Sequence, residues 1–224
     1  DQMLDSPTNN FATLNPLWTE SGCTFTEGNL KGIISAVNNY ISSSFVIPVT
    51  GLFYYEFVVT SHTRIVVGIT DVVEANKYSG SQINQRMYFY DGQKEGDGAR
   101  ASYGNSYTNG DILGIAIDRT NGAIYFAKNN TWQDSGDPTS GASKTGAAFT
   151  SISSSRDWVA AMIGYDNGEG GVFNFGQDSS FAGEKTAQGN QDGNSIGDFY
   201  YTPPTGFLAL CTSNLPAVAV IPSE

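Results

Sequence analysis

Short runs of β-branched and aromatic residues, separated by clusters of Gly, Asn, Asp and Ser, are the feature that most restricts the fold of this chain. Helical periodicity is almost absent from the 224 residues. Short strands joined by polar turns are typical of a sandwich or barrel, and the length suits one large all-β domain with a sizeable core. We therefore predict an all-β fold: an antiparallel β-sandwich with long surface loops and little helix.

The clearest element is a hairpin. Residues 111–118 alternate large apolar with small or polar side chains, and residues 123–127 form the second apolar run. Between them Asn121 and Gly122 tolerate the positive φ angles of a tight turn. Two further pairs of neighbouring strands are predicted: 52–60 with 64–70, around a turn at Ser61 and His62, and 158–164 with 171–175, around a turn at 166–168. Single strands are predicted at 87–90 and 206–211. Long polar loops are predicted at 129–155 and 176–198.

The chain reads as one domain without internal repeats. Residues 1–18 are polar and turn-rich, which predicts a linker that docks on the sandwich of residues 19–215. Residues 216–224 are expected to be an extension. Its apolar run 217–221 cannot bury itself alone, so it either pads the domain or adds to the sheet of a neighbouring chain, making inter-subunit contacts. The chain opens at Asp1, which favours a processed product or a segment of a longer polypeptide.

The charge balance disfavours several classes of partner. Lys and Arg number 11 and Asp and Glu number 22, so the net charge is −11. Nucleic-acid binding depends on Lys and Arg, and an acidic chain is repelled by an anionic membrane surface. No apolar run approaches the roughly 20 residues of a membrane-spanning helix. We expect neither nucleic-acid binding nor membrane insertion.

Residue sets for catalysis are sparse. His62 is the only histidine, and its Ser-His-Thr turn indicates a solvated turn residue rather than part of a catalytic triad. Glycoside hydrolysis needs two carboxylates facing one cleft, whereas Glu56 stands alone in an aromatic strand and is interpreted as a structural carboxylate. Cys23 and Cys211 are interpreted as buried thiols, and a disulfide between them stays open. We expect no enzyme activity and no cofactor, with a carbohydrate-active enzyme as a minor alternative.

Two acidic turns partly imitate a calcium loop. In residues 91–98 acids stand at alternating positions before a glycine, but the closing Glu is absent and a Lys intrudes. Residues 166–169 resemble such a loop no better. We interpret both as solvated turns and expect no metal site, while calcium near Asp91 and Asp97 stays open. No Cys/His cluster indicates zinc.

Aromatic residues in polar loops are the main candidates for ligand contact. Their faces, beside Asp, Asn or Arg, can stack on sugars and bond sugar hydroxyls, and the same residue types form hot spots in protein interfaces. Each can equally be a partly buried anchor of its loop. The candidate ligand-binding residues are Tyr78, Arg86, Tyr103, Tyr107, Trp132, Tyr165, Asp166 and Asn167.

The hairpin region resembles the core of SPRY domains. Residues 110–132 (GDILGIAIDRTNGAIYFAKNNTW) are similar to the family's Gly-Asp-hydrophobic-Gly strand, its turn and its following strand. Two departures are that Asn129-Asn130 replaces the family's Asn-Gly and that 133–144 is an insertion. Four more segments resemble family segments and stand in family order: Tyr54-Tyr55-Glu56-Phe57, Val67-Gly68-Ile69, Tyr103-Gly104 and Asn174-Phe175-Gly176-Gln177.

This resemblance implies a jelly-roll-like sandwich related to the concanavalin-A-like lectins, with binding through loops at one end. A further resemblance, carried by residues 10–17, 201–210 and 214–216, is to SPRY segments in large structural proteins of aquatic bacteriophages. It implies a non-catalytic structural or adhesive module of a virion appendage or extracellular fibre. Its partners would be copies of itself, other virion or fibre proteins, and a host-surface glycan or protein. The alternative is a module that binds a protein ligand through loops at one end of the sandwich.

Overall fold

The fold is a two-sheet β-sandwich. The structure, a computed structural model, describes residues 9–19, 21–73 and 84–216. No helix among these residues is long and apolar enough to cross a membrane. The described strands are β1 (Cys23–Thr26), β2 (Lys31–Ile34), β3 (Asn39–Ile47), β4 (Leu52–Ser61), β5 (Val66–Asp71), β6 (Gln85–Phe89), β7 (Gln93–Gly96), β8 (Ala99–Ser102), β9 (Ile112–Asp118), β10 (Ala123–Lys128), β11 (Thr131–Trp132), β12 (Trp158–Gly164), β13 (Glu169–Asn174) and β14 (Leu208–Ala209). Short 3-10 helices lie at Gln133–Ser135, Pro138–Ser143 and Thr212–Asn214.

Among the described residues, one sheet has eight strands and the other has six. The eight-stranded sheet runs β1-β2-β13-β4-β9-β10-β11, and β14 pairs with the start of β4. The six-stranded sheet runs β3-β12-β5-β6-β7-β8. Every pairing is antiparallel except that of β14 with β4. The predicted class, an all-β antiparallel sandwich with little helix, is confirmed.

The eight-stranded sheet is buried on both faces. Side chains of β4 that point inward, such as Tyr55 and Phe57, join the core between the sheets. Tyr54 points outward and packs with Phe199 and Phe207 from the segment that follows β13. A strand buried on both faces reads as a continuous apolar run rather than an alternating one, which explains the unbroken sequence LFYYEFVV.

Two of the three predicted strand pairs are not pairs. β4 lies in the eight-stranded sheet and β5 in the six-stranded sheet, and β12 and β13 are separated in the same way. Residues 61–65 and 165–168 therefore cross between the sheets. Glu169 joins the two crossings, because its carboxylate accepts hydrogen bonds from the backbone N–H groups of Thr63, Arg64 and Asp166. Periodicity predicts a strand but not the sheet to which the next strand belongs.

The hairpin of β9 and β10 is confirmed, with Ala123 opposite Asp118. Its turn spans residues 119–122, and of the expected pair only Gly122 has a positive φ, at 74°. The Asp118 carboxylate accepts hydrogen bonds from the Asn121 backbone N–H at 2.8 Å and from its side-chain amide at 2.7 Å. The Asp side chain thus closes the turn.

The described part of the N-terminal segment lies along the sandwich. Ala12 donates its backbone N–H to the Leu210 carbonyl and Leu14 donates to that of Asn29, at 3.0 and 2.8 Å. The expected last strand, 206–211, is reduced to the two residues of β14. The apolar runs of the sequence did not indicate β1 to β3, β7, β8 or β11. The apolar run 217–221 lies outside the described residues.

A substitution of Gly68 tests the close packing of β5 against β6. A methyl group at Gly68 would overlap the Arg86 carbonyl oxygen, which belongs to the neighbouring backbone and cannot move alone. We expect Gly68→Ala to lower the free energy of unfolding in urea by about 1–3 kcal/mol. Gly193→Ala is the matched control, because no atom lies within 4 Å of the added carbon, and its change should stay within about 0.5 kcal/mol. Equal values for the two variants would contradict this packing.

Candidate functional site

Two of the predicted loop aromatics are buried. Tyr103 is 8% exposed and Tyr107 is 2% exposed. The Tyr107 hydroxyl bonds the carbonyls of Ile65 and Tyr88, both at 2.9 Å. Burial raises the pKa of both phenols. This pair takes the alternative that the sequence left open, that of buried loop anchors, because the loop 103–110 folds inward over the end of the core.

Arg86 is also an internal residue. It is 7% exposed and makes two hydrogen bonds to the Asp97 carboxylate, at 2.8 and 2.9 Å. Its guanidinium lies 5.4 Å from the ring centres of Phe149 and of Trp158. Arg86 therefore fixes the turn between β7 and β8 to the sheet, which corrects the prediction that it is a free ligand contact. Tyr78, its expected neighbour, lies outside the described residues.

Trp132 and Tyr103 meet in an open groove. Residues 102–105 form one wall and residues 131–135 form the other, around a space of about 600 Å³. The groove lies at the side of the sandwich where the edge strands β8, of the six-stranded sheet, and β11, of the eight-stranded sheet, come close together. Trp132 is half-buried in β11, while Ser102 beside it in the groove is exposed. Its volume lies in the range of ligand sites, while its open shape and polar lining differ from those of an enclosed small-molecule pocket.

Gln133 holds the two walls of the groove together. Its side chain is buried, accepts the backbone N–H of Asn105 at 2.7 Å and donates to the Thr131 carbonyl at 2.6 Å. The Tyr103 hydroxyl accepts the Phe126 backbone N–H at 3.3 Å. The groove is therefore preformed by internal hydrogen bonds, so that binding would not have to order its walls.

Asp134 is the one charged residue among those that line the groove in the described structure. It is exposed, and no ion pair within 4 Å is found for it in residues 9–19, 21–73 and 84–216. Lys94 lies nearby, but its ammonium donates to the Ala148 carbonyl at 2.6 Å and faces the rings of Tyr103 and Phe149. Burial lowers the pKa of Lys94, and Asp134 opposes that shift. The charge that lines the groove is therefore a single exposed carboxylate, with the Lys94 ammonium held behind the Tyr103 ring.

The backbone at Asp134 is in an unusual conformation. Asp134 and Ser135 both have φ of 53°, in the left-handed region that non-glycine residues occupy at a cost of about 1 kcal/mol each. Consecutive residues of this kind often mark functional loops. They were not identified from the sequence, where residues 129–155 were read as one polar loop. The sequence feature that could have indicated Asp134 is its position, two residues after a tryptophan in a predicted loop.

The other predicted contact residues form a cluster around Arg64. Arg64 makes two hydrogen bonds to Asp166, at 2.8 and 2.9 Å, and its guanidinium lies 5.7 Å from the Tyr165 ring centre. The pairing lowers the pKa of Asp166. Tyr165 is half-buried against Phe89, whereas Asn167 is exposed in the turn. Arg64 was missed because it opens a predicted strand.

Glu56 is the most enclosed acid among the described residues. Its side chain accepts the backbone N–H groups of Tyr200 and Tyr201, at 2.9 and 2.8 Å, and the side chains of Tyr54 and Asn174, both at 3.1 Å. It is 0% exposed. Burial raises its pKa to about 7, and the four donors oppose that shift. Glu56 is thus the structural carboxylate expected from the sequence, and it has no open face for a sugar.

The remaining candidates for chemistry are occupied or isolated. Of the acids in residues 91–98, Asp91 and Glu95 pair with Arg100, and Asp97 pairs with Arg86. Among the described residues no three His, Cys, Asp or Glu side chains group as metal ligands do.

Neither cysteine forms a disulfide in the structure. Cys211 is buried, and Cys23 is half-buried. His62 is half-buried rather than solvated, with its ring 5.7 Å from that of Tyr90 and its Nδ1 without a hydrogen-bond partner. None of these side chains forms a catalytic set.

Comparisons with known proteins agree with the fold. The sequence model of the SPRY domain family matches residues 52–178. The SPRY domain of human HERC1 is similar in structure, with a TM-score of 0.57 and 16% identity over 71% of this chain and 96% of that chain. A stonustoxin structure has a TM-score of 0.54 and 17% identity, and the match covers 73% of this chain but 26% of the toxin chain. No curated protein matches the sequence. Structural likeness at these identities shows the fold alone.

Titration of Glu56 gives a testable pH dependence. Its folded pKa, about 7, lies above the value of 4.5 expected for an unfolded chain. Between these pH values the folded state holds a proton that the unfolded chain has released, so this group lowers stability as the pH rises, by up to about 3 kcal/mol. The free energy of unfolding is measured by urea titration of the wild type and of Glu56→Gln at each pH. Between pH 5 and 8 we expect it to fall more for the wild type than for Glu56→Gln.

Glu56→Gln is the appropriate comparison because the amide cannot titrate and has nearly the same shape. It should be less stable than the wild type at pH 5, since an NH₂ group would face backbone donors. Parallel pH profiles for the two proteins would show that Glu56 does not change its protonation in this range.

Proposed function

Since this chain belongs to the SPRY domain family, whose members are protein-interaction modules, we propose that it binds a protein ligand in the groove between residues 102–105 and 131–135. The observation that carries this proposal is the half-exposed indole of Trp132 at the edge of a preformed groove. Tryptophan is among the residues that most often dominate binding energy in protein interfaces. The proposal selects the protein-ligand alternative of the sequence analysis.

The shape of the groove favours a peptide segment over a small molecule. The space is open along one side, at the junction of two strand edges, rather than enclosed. Polar backbone and side-chain groups of residues 102–105 and 131–135 line much of it, and these can bond a peptide backbone. Enclosed apolar surface, which typically holds a small ligand, is limited to the rings of Trp132 and Tyr103.

Binding rather than catalysis is the activity that these residues support. SPRY domains are generally non-catalytic binding modules. The groove contains one carboxylate, Asp134, and glycoside hydrolysis requires two. Glu56, the other acid considered for that role, has no exposed surface. The alternative of a carbohydrate-active enzyme required an exposed Glu56, and this residue is buried.

The more specific expectations drawn from the bacteriophage resemblance remain predictions. They are a place in a virion appendage or fibre, assembly with copies of itself, contact with host-surface glycans and a virion or extracellular location. None of the comparisons supports them. The cluster of Arg64, Tyr165, Asp166 and Asn167 is where glycan contact would be tested, because it combines an aromatic face with polar groups.

Replacing Trp132 tests the site. A display library of random 12-residue peptides, selected on the wild-type chain, supplies the probes. We expect Trp132→Ala to weaken binding of the selected peptides by about 2 kcal/mol, roughly 30-fold, because the substitution removes the largest apolar contact of the groove. Dissociation constants are measured by isothermal titration calorimetry, and thermal unfolding checks that the variant is folded.

Trp18→Ala is the matched control. Trp18 is 43% exposed and lies in the segment next to β3, at the edge of the six-stranded sheet opposite to β8. The control should bind the peptides as the wild type does. If Trp132→Ala binds them with unchanged affinity, the groove is not the site.

A further inference from the structure

The outer edge of β8 is open beside the groove. All four residues of β8 are exposed, and among the described strands β8 ends the six-stranded sheet and pairs with β7 alone. The β7–β8 hairpin closes with a two-residue turn, Asp97 and Gly98, with φ of 53° and 75°, which makes the flanking pair Gly96 and Ala99 a hydrogen-bonded pair. Hydrogen-bonded and non-bonded pairs alternate along an antiparallel ladder.

This alternation decides which backbone groups are free. Ala99 and Ala101 bond to β7, and the next residue in the same phase, Tyr103, donates to the Gly92 carbonyl at 3.1 Å. The N–H and C=O groups of Arg100 and Ser102 therefore point away from the sheet. In the part of the chain that the structure describes, no group bonds to them. Ser102 also lines the groove, so the open edge leads directly into it.

β8 has one of the usual protections of an edge strand, its length of only four residues. It has no proline, bulge or outward lysine to keep the edge from pairing. The one charged side chain of β8, Arg100, instead lies with its guanidinium 3.9 Å from the Phe89 ring centre and pairs with Asp91 and Glu95. Arg100 is thus held over the face of the sheet and does not cover its edge.

Charge distinguishes between the possible occupants of this edge. The chain carries a net charge of −11, and the one charge that lines the groove in the described structure is the exposed carboxylate of Asp134. A second copy of the chain would bring a further 11 negative charges, whereas a basic segment complements both the groove and the whole molecule. The Trp132 indole, two residues from Asp134, adds a surface on which a cation can lie.

From these observations we propose that the ligand is an extended basic segment of a partner protein, which adds to β8 as a new strand and places a Lys or Arg side chain at Trp132 and Asp134. The proposal rests on the proposed function and specifies its ligand. Pairing to Arg100 and Ser102 supplies backbone hydrogen bonds that do not depend on sequence, and the Trp132–Asp134 pair supplies selectivity for a cation.

Defined peptides test the choice of charge. The probes are three acetylated eight-residue peptides in which Thr alternates with Lys, Gln or Glu. We expect the Lys peptide to bind the full chain at least about tenfold more tightly than the Gln peptide, and the Glu peptide to bind least, in fluorescence anisotropy titrations at 50 and 150 mM salt. Asp134→Asn should remove the preference for Lys over Gln.

Asp157→Asn is the charge-matched control. Asp157 is exposed just before β12 and does not line the groove, so its substitution changes the net charge equally and should leave the preference intact. Equal binding of the Lys and Gln peptides by the wild type, or an equal effect of the two substitutions, would overturn the basic-segment assignment.

Amide hydrogen exchange tests strand addition directly. In the free chain the amides of Arg100 and Ser102 should exchange quickly and those of Ala99 and Ala101 slowly. The Lys peptide should slow exchange at Arg100 and Ser102 by about tenfold or more, while the amides of β1, the edge of the other sheet, keep their rates. Ser102→Pro removes one outward N–H without touching the β7 ladder and should abolish binding while thermal unfolding stays near that of the wild type.

The outcomes separate this inference from the proposed function. If selected random peptides bind in a Trp132-dependent way but are not basic, or leave the Arg100 and Ser102 amides unprotected, the groove is a ligand site and the strand-addition proposal is wrong. If the amides become protected only as the chain dimerises in sedimentation, the occupant is a second copy and the proposal is also wrong. If no selected peptide depends on Trp132, both proposals fail.

Discussion

The buried carboxylate of Glu56 is the interaction on which most of this architecture depends. It sits in β4, at the centre of the eight-stranded sheet, and gathers the backbone N–H groups of Tyr200 and Tyr201. Those bonds attach the segment after β13 to the outer face of the sheet. Without that segment Tyr54 and its apolar neighbours would face water, and the sheet would have one buried face instead of two. An acid whose removal leaves backbone donors unpaired in the interior is costly to lose.

A second buried acid, Glu169, also binds backbone N–H groups from separate segments, at the end of the sandwich. Glu169 accepts backbone N–H groups from both segments that cross between the sheets, at Thr63, Arg64 and Asp166. At each crossing the chain passes from one sheet to the other. By joining the two crossing segments, this carboxylate holds the two sheets together at this end of the sandwich. Tyr107, in the neighbouring loop 103–110, then donates to the carbonyl of Ile65 beside one crossing. One wall of the groove begins in this same loop.

Local pattern was sufficient for seven of the fourteen described strands and insufficient for their partners. β4, β5, β6, β9, β10, β12 and β13 all lie where apolar runs predicted them. The pairing of β4 with β5 and of β12 with β13 was wrong, because adjacency in sequence does not reveal a crossing between sheets. Among site residues, Trp132 and Tyr103 do share a groove, while Arg86 and Tyr107 are internal. A Tyr or Arg in a polar loop has the same local signature whether its ring or guanidinium anchors the loop or faces solvent.

The sequence by itself determined the fold class, the hairpin of β9 and β10 and the structural role of Glu56, because strand periodicity, turn residues and an isolated acid in an apolar strand are local properties. Only the tertiary structure decided which strands pair, which aromatics are exposed and that Gln133 joins two distant segments into a groove ending at Asp134. Those features depend on contacts between residues far apart in the chain. Such contacts arise only when the whole chain pairs its buried backbone hydrogen-bonding groups and buries the apolar faces of both sheets at the same time.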